Sequence, residues 1–138
     1  MSPVRLAPEV LAQLAGCVDV EAPQEFVGLL GGQPGAVLSL VPLPNRAIRG
    51  DRFAVEPLAF AQAEHALRQR GQRWLGFVHS HPHGDVRLSA IDRAELWRDC
   101  LQLVAARGRQ GELLQAAYWL AARGVLQLPV LVADGARA

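Results

Sequence analysis

Lysine is absent from this chain: all fourteen basic residues are arginine. Thirteen acidic residues balance them, so there is no basic footprint for nucleic acid or an anionic membrane. The absence reads as the mark of a GC-rich genome, and it means that the chain carries no lysine to be modified. Cysteine is scarce. Cys17 and Cys100 are far apart and fit no C-x-x-C pattern, so two free buried thiols in a reducing cytosol are expected. No apolar run is long enough to span a membrane, and Met1-Ser2-Pro3-Val4-Arg5 lacks the apolar run of a signal peptide. A cytoplasmic protein is the expectation. Repeats and linkers are also missing, and 138 residues suffice for one compact domain, taken as 1–138.

What is present centres on Gly76-Phe77-Val78-His79-Ser80-His81-Pro82 and the Asp92 beyond it. Trp74 to Val78 reads as a short buried strand. His79 and His81 continue it two positions apart, so their side chains project from one face. Pro82 cannot continue a central ladder and ends the strand. The chain then loops through His83-Gly84-Asp85-Val86-Arg87 and restarts as a helix near Ser89, whose first turn can bring the Asp92 carboxylate over the strand end. Two histidines and one carboxylate leave zinc's fourth position for water, which points to a catalytic metal site. Taken singly, a strand histidine is a satisfied core or surface group, and Ser89-x-x-Asp92 is a capping box. Two histidines sharing one strand face beside a proline break have no packing use, and the combination favours the metal. Asp85 and His83 are set aside as ligands because the loop does not anchor them, and His65 is read as a surface residue of a helix.

The remaining elements follow from pattern. Helices are expected over Pro8–Val18, Pro57–Arg70 and Ser89–Cys100, with Leu58, Ala61, Ala66 and Leu67 as the core face of the second. Strands are expected at Glu25–Gly31, ending in a Gly-Gly turn, and at Gly35–Leu43, Arg52–Val55, Leu101–Ala105, Leu113–Ala122 and Val125–Val132. Asn45–Arg52 is a basic loop and the tail from Ala133 is frayed. The sum is a single α/β domain with a mixed β-sheet flanked by helices.

His79-Ser80-His81-Pro82 followed by Ser89-x-x-Asp92 resembles the motif of the JAMM (MPN-plus) metallopeptidases, H-[ST]-H-P and then S-x-x-D. That family also carries an upstream E-x-x-G-L-L-x-G, and Glu25-Phe26-Val27-Gly28-Leu29-Leu30-Gly31-Gly32 fits it apart from one additional glycine. The resemblance implies an MPN/JAMM-like, cytidine-deaminase-like layout. It implies Zn2+ held by His79, His81 and Asp92. It gives Glu25 the role of general base, taking the proton of water and passing it to the leaving amine, and Ser89 that of donor to the oxyanion.

It further implies hydrolysis of the peptide or isopeptide bond after the C-terminal Gly-Gly of a ubiquitin-like or sulfur-carrier protein, the tail adding to an exposed strand edge. Alternatives are a hydrolase releasing an amino acid or small amine from a carrier protein, or a non-catalytic MPN scaffold. A zinc deaminase would need P-C-x-x-C and H-x-E segments, and neither exists here. No nucleic-acid or membrane partner is expected, and the sequence leaves the oligomeric state open.

Overall fold

The computed structural model describes residues 2–47, 54–82 and 85–132. In chain order these form β1 (Val4–Leu6), α1 (Pro8–Glu21), β2 (Val27–Gln33), β3 (Ala36–Leu43), α2 (Pro57–Gln69) and β4 (Arg73–Ser80). After them come α3 (Ala90–Glu95), β5 (Leu101–Arg107), β6 (Leu113–Ala121), β7 (Gly124–Leu128) and β8 (Val130–Val132). The strands make one mixed sheet in the order β7-β6-β5-β4-β2-β3-β1-β8, with helices packed on it. The chain is a single-domain α/β protein, as expected. No helix among the described residues is long and apolar enough to cross a membrane.

Each face of the sheet has its own core. On one side α1 buries Val10, Leu14 and Val18 against Leu30, Val78 and Leu103. On the other, α2 buries Ala63 and Leu67 against Val27, Leu29 and Phe77. Leu88 and Leu96, on either side of α3, pack there too, against Val104, Tyr118 and Leu120. Burying each of these valine, leucine and phenylalanine side chains contributes about 1.5–3 kcal/mol. At the middle of the sheet β4 pairs antiparallel with β2 and parallel with β5. A Cβ at Gly76 would collide with the Leu101 carbonyl, so glycine there lets β5 lie directly beside β4. His79 lies in register with Val27 and Val104, which places its imidazole on the face that carries α2 and α3.

Several expectations are corrected. The helix from Ser89 is only Ala90–Glu95, because Leu96 turns extended (ψ 146°) and Asp99 takes φ +60° as the chain returns to start β5. Leu96 drops into the core, while Trp97 stacks against Phe60, Trp74 and Phe77. Val125–Val132 is two strands. Pro129 offers no amide for a ladder and divides β7 from β8, which stand at opposite ends of the sheet order. With one residue between them, the sheet must curl until its ends approach, and Val4 donates to the Pro129 carbonyl at 2.8 Å along that seam.

Gly31-Gly32 is not a turn but lies within β2, where the register shifts because Leu38 of β3 and Leu75 of β4 are extra residues, and a Cβ at Gly32 would strike the Ala36 carbonyl. The tight turn falls at Gly35, with φ +79°. Leu58 is 61% exposed, since Phe60 joins the aromatic cluster and rotates the buried face of α2 onto Ala63 and Leu67. The strand expected at Arg52–Val55 lies partly outside the described residues, and Ala54 and Val55 have no strand pairing. His83 and the tail from Ala133 also lie outside them. Both cysteines are free; Cys100 is buried, but Cys17 only partly so.

Candidate metal centre

β4 delivers both histidines to one point. His79 is fully buried at its end, and His81, one residue past the strand, keeps the alignment because its amide donates to the Ala105 carbonyl at 2.8 Å. Their Nε2 atoms are 3.2 Å apart. Asp92 reaches the same point from the first turn of α3, with Oδ2 at 3.2 Å from His79 Nε2 and 2.9 Å from His81 Nε2. Ligands tetrahedral about zinc at 2.0–2.1 Å would stand about 3.3 Å from one another. The three atoms are therefore spaced as a single small ion requires. His79, His81 and Asp92 are also the group among the described residues whose ligand atoms converge for a metal.

Proton bookkeeping supports the fit. His81 Nδ1 lies 2.8 Å from the Asp85 carbonyl, which can only accept, so the proton sits on Nδ1. In the neutral ring Nε2 then turns a lone pair toward the Asp92 carboxylate. Only a shared cation, proton or metal, makes that contact attractive. Burial pulls His81 down, yet the hydrogen bonds to Asp92 and Asp85 and the charges of Asp92 and Glu25 raise it overall. Complete burial dominates for His79 and lowers it. Burial would raise Asp92, but its hydrogen bonds to His79 and His81, the charge of His79 and the Ser89 amide hold it well below the usual carboxylate range.

The capping box is present and does not compete with this role. Ser89 Oγ accepts from the Asp92 amide at 3.0 Å, and Asp92 Oδ2 accepts from the Ser89 amide at 3.0 Å. The sequence pattern set the two readings of Asp92 against each other, whereas one oxygen serves both. The cap aims the carboxylate, and Ser89's accepting role leaves its O–H to donate.

Glu25 precedes β2 rather than beginning it. Extending the Val27↔His79 register by two residues sets Glu25 opposite His81, on the same face of the sheet. It is 3% exposed, and its charge bears on His81. Two residues that the sequence did not single out as supports hold this corner. Asn45 donates from Nδ2 to the Glu25 carbonyl at 2.9 Å, while its Oδ1 accepts from the amides of Ala47 and Ala54. Ser80 Oγ accepts from the Phe26 amide at 2.8 Å. A buried serine between two histidines was the available signal.

Asp85 is not in the cluster, but its loop is anchored after all. Its carboxylate accepts from the Arg87 amide and guanidinium. Tyr118 donates to the Val86 carbonyl at 2.7 Å, fixing the segment whose Asp85 carbonyl orients His81. Tyr118→Phe is expected to weaken metal binding up to about tenfold, at the mild end of losses seen for residues behind a ligand. Its global stability should fall by only about 1 kcal/mol, as for one hydrogen bond. Calorimetric metal titration beside thermal unfolding checks this; unchanged metal affinity would show that the loop holds His81 without the tyrosine.

The model of the prokaryotic homologs of the JAB domain matches residues 7–128. A solution structure of a protein from Desulfitobacterium hafniense is 22% identical with a TM-score of 0.85, covering 94% of this chain and 92% of that one. A JAB1/MPN domain protein from Archaeoglobus fulgidus is 19% identical with a TM-score of 0.55, covering 92% and 98%. A structure described as a metalloprotease-like zinc site in the proteasome and signalosome is 17% identical with a TM-score of 0.56, covering 94% and 98%. No curated protein matches. The solved structures share the fold, and the match from residue 7 to residue 128 places the chain in the family of prokaryotic homologs of the JAB domain.

Proposed function

We propose that this protein is a zinc-dependent hydrolase of amide bonds, a metallopeptidase acting after the C-terminal Gly-Gly of a ubiquitin-like or sulfur-carrier protein. The observation that carries the reading is the convergence of His79 Nε2, His81 Nε2 and Asp92 Oδ2, with the buried Glu25 across the β2–β4 register. A zinc ion held there supplies Lewis acidity, polarising a carbonyl and making water acidic near neutral pH. Glu25 accepts the proton of the attacking water and returns it to the leaving amine. Its shielding from solvent favours that exchange. Ser89 donates its hydroxyl hydrogen to the oxygen of the attacked carbonyl.

The free sheet edges stand away from β4, which disfavours an approach of the substrate tail by addition to either of them. β7 lies three strands from β4 and β8 four, about 14 and 19 Å along the sheet at ~4.8 Å per strand.

The test is a carrier protein ending in Gly-Gly and fused to a reporter amine, compared with a short Gly-Gly-X peptide. The zinc-loaded protein should release the amine, and preference for the intact carrier would identify the carrier's folded surface as part of recognition. Failure to cleave either with zinc bound would make the site a non-catalytic scaffold. Zinc affinity should also rise with pH. Below the raised His81 value the ring holds a proton that metal must displace, and above it no proton competes. Titrations at pH 6 and pH 8 should show tighter binding at pH 8, and a flat profile would contradict the His81 assignment.

A further inference from the structure

Beside the metal centre, sharing Asp92 with it, lies a pocket of about 180 Å³. Phe77, Ile91, Leu96, Trp97, Ala54 and Val55 give it apolar walls. Trp97 is 53% exposed, so the mouth is open to a ligand. Ligand pockets usually exceed about 300 Å³, so this one suits a single side chain and not a cofactor.

Its wall holds one unusual group. Gln102 is fully buried. Its Nε2 donates to the Trp97 carbonyl at 3.1 Å, which fixes the orientation of the amide. Its Oε1 is then an acceptor with no hydrogen-bond partner among the described residues. A buried acceptor left unmade is unfavourable, and a donor brought by a ligand would relieve that cost.

We infer that this pocket is a side-chain subsite for a residue with an apolar body and a hydrogen-bond donor at its tip. The assignment as a subsite rests on the hydrolase reading, because the pocket shares Asp92 with the metal centre. A purely apolar side chain fills the walls but leaves Gln102 Oε1 unpaired. An acidic tip meets that oxygen and the carboxylate of Asp92. Sites built to receive a hydrogen bond reject isosteres that lack the donor more strongly than apolar pockets reject a missing methylene.

The pocket is tested on the whole protein labelled with 5-fluorotryptophan. Its three tryptophans give three fluorine resonances, and Trp97→Phe identifies the one from Trp97. 4-Methylphenol should shift that resonance saturably, toluene should bind at least tenfold more weakly, and 4-methylbenzoate should not bind. Equal affinity of the first two, or no shift of the Trp97 resonance, would overturn the inference. Gln102→Met should abolish the difference between phenol and toluene while retaining toluene binding; a persisting difference would also overturn it.

Peptide substrates with tyrosine or phenylalanine scanned through four residues on each side of the scissile bond then test the subsite. One position should favour tyrosine by tenfold or more in kcat/KM, and no preference at any position would overturn the subsite. Absence of all hydrolysis alongside the phenol preference would sink the hydrolase reading and uphold the pocket's ligand class.

Discussion

Glu25→Gln should retain the fold and the metal while losing at least a hundredfold in hydrolysis. The substitution keeps the shape of a side chain that is 3% exposed and removes its capacity to take a proton together with the charge that bears on His81. A positioned general base contributes about 10²–10⁴ in rate. The neighbours that hold it, Asn45 on its carbonyl and Ser80 on the Phe26 amide, bond to backbone and are indifferent to the change. Thermal stability and metal stoichiometry should therefore match the parent. Loss of metal from this variant would make Glu25 a ligand and displace it from the proton-transfer role.

Asp92→Asn should lower metal affinity far more than Asp85→Asn. Asp92 is buried, its Oδ2 lies within 3.2 Å of both imidazoles, and its carboxyl is held ionised. An amide oxygen in its place retains the Ser89 cap but loses the charge that balances the cation. A loss of at least a hundredfold in affinity is expected, with the helix intact. Asp85 acts through its main-chain carbonyl, which the substitution leaves in place. Asp85→Asn removes the carboxylate beside Arg87, an exposed pair that contributes little. Metal titration of the two variants compares them directly, and equal losses would mean that the loop's charge acts on the site.

The strand, the two histidines and the aspartate were legible because their signals are local. Period-two placement aims both imidazoles to one side, Pro82 marks the end of the strand, and Ser89-x-x-Asp92 marks a helix start. Glu25 was legible only through the resemblance, since a lone glutamate before an apolar run has no distinguishing period. What escaped depends on partners distant in sequence. β1 is three residues long, too short for a periodic signal, and β8, expected as the end of one strand from Val125, stands apart from β7 because it pairs with β1.

The early end of α3 follows from Leu96 and Trp97 finding separate clusters, not from any breaker in the sequence. Asn45, Tyr118 and the Asp85 carbonyl act through hydrogen bonds between side chain and main chain, which no spacing announces. Asp92 shows the converse. The sequence offered cap or ligand, and one geometry supplies both.

The most direct measurement is zinc titration of the metal-free protein, followed by assay of a Gly-Gly-linked substrate at each point of the titration. One zinc per chain should bind, hydrolysis should rise in proportion, and His81→Ala should abolish both. Full hydrolysis in a strong chelator, or zinc binding unchanged in His81→Ala, would contradict a metal centre built on His79, His81 and Asp92.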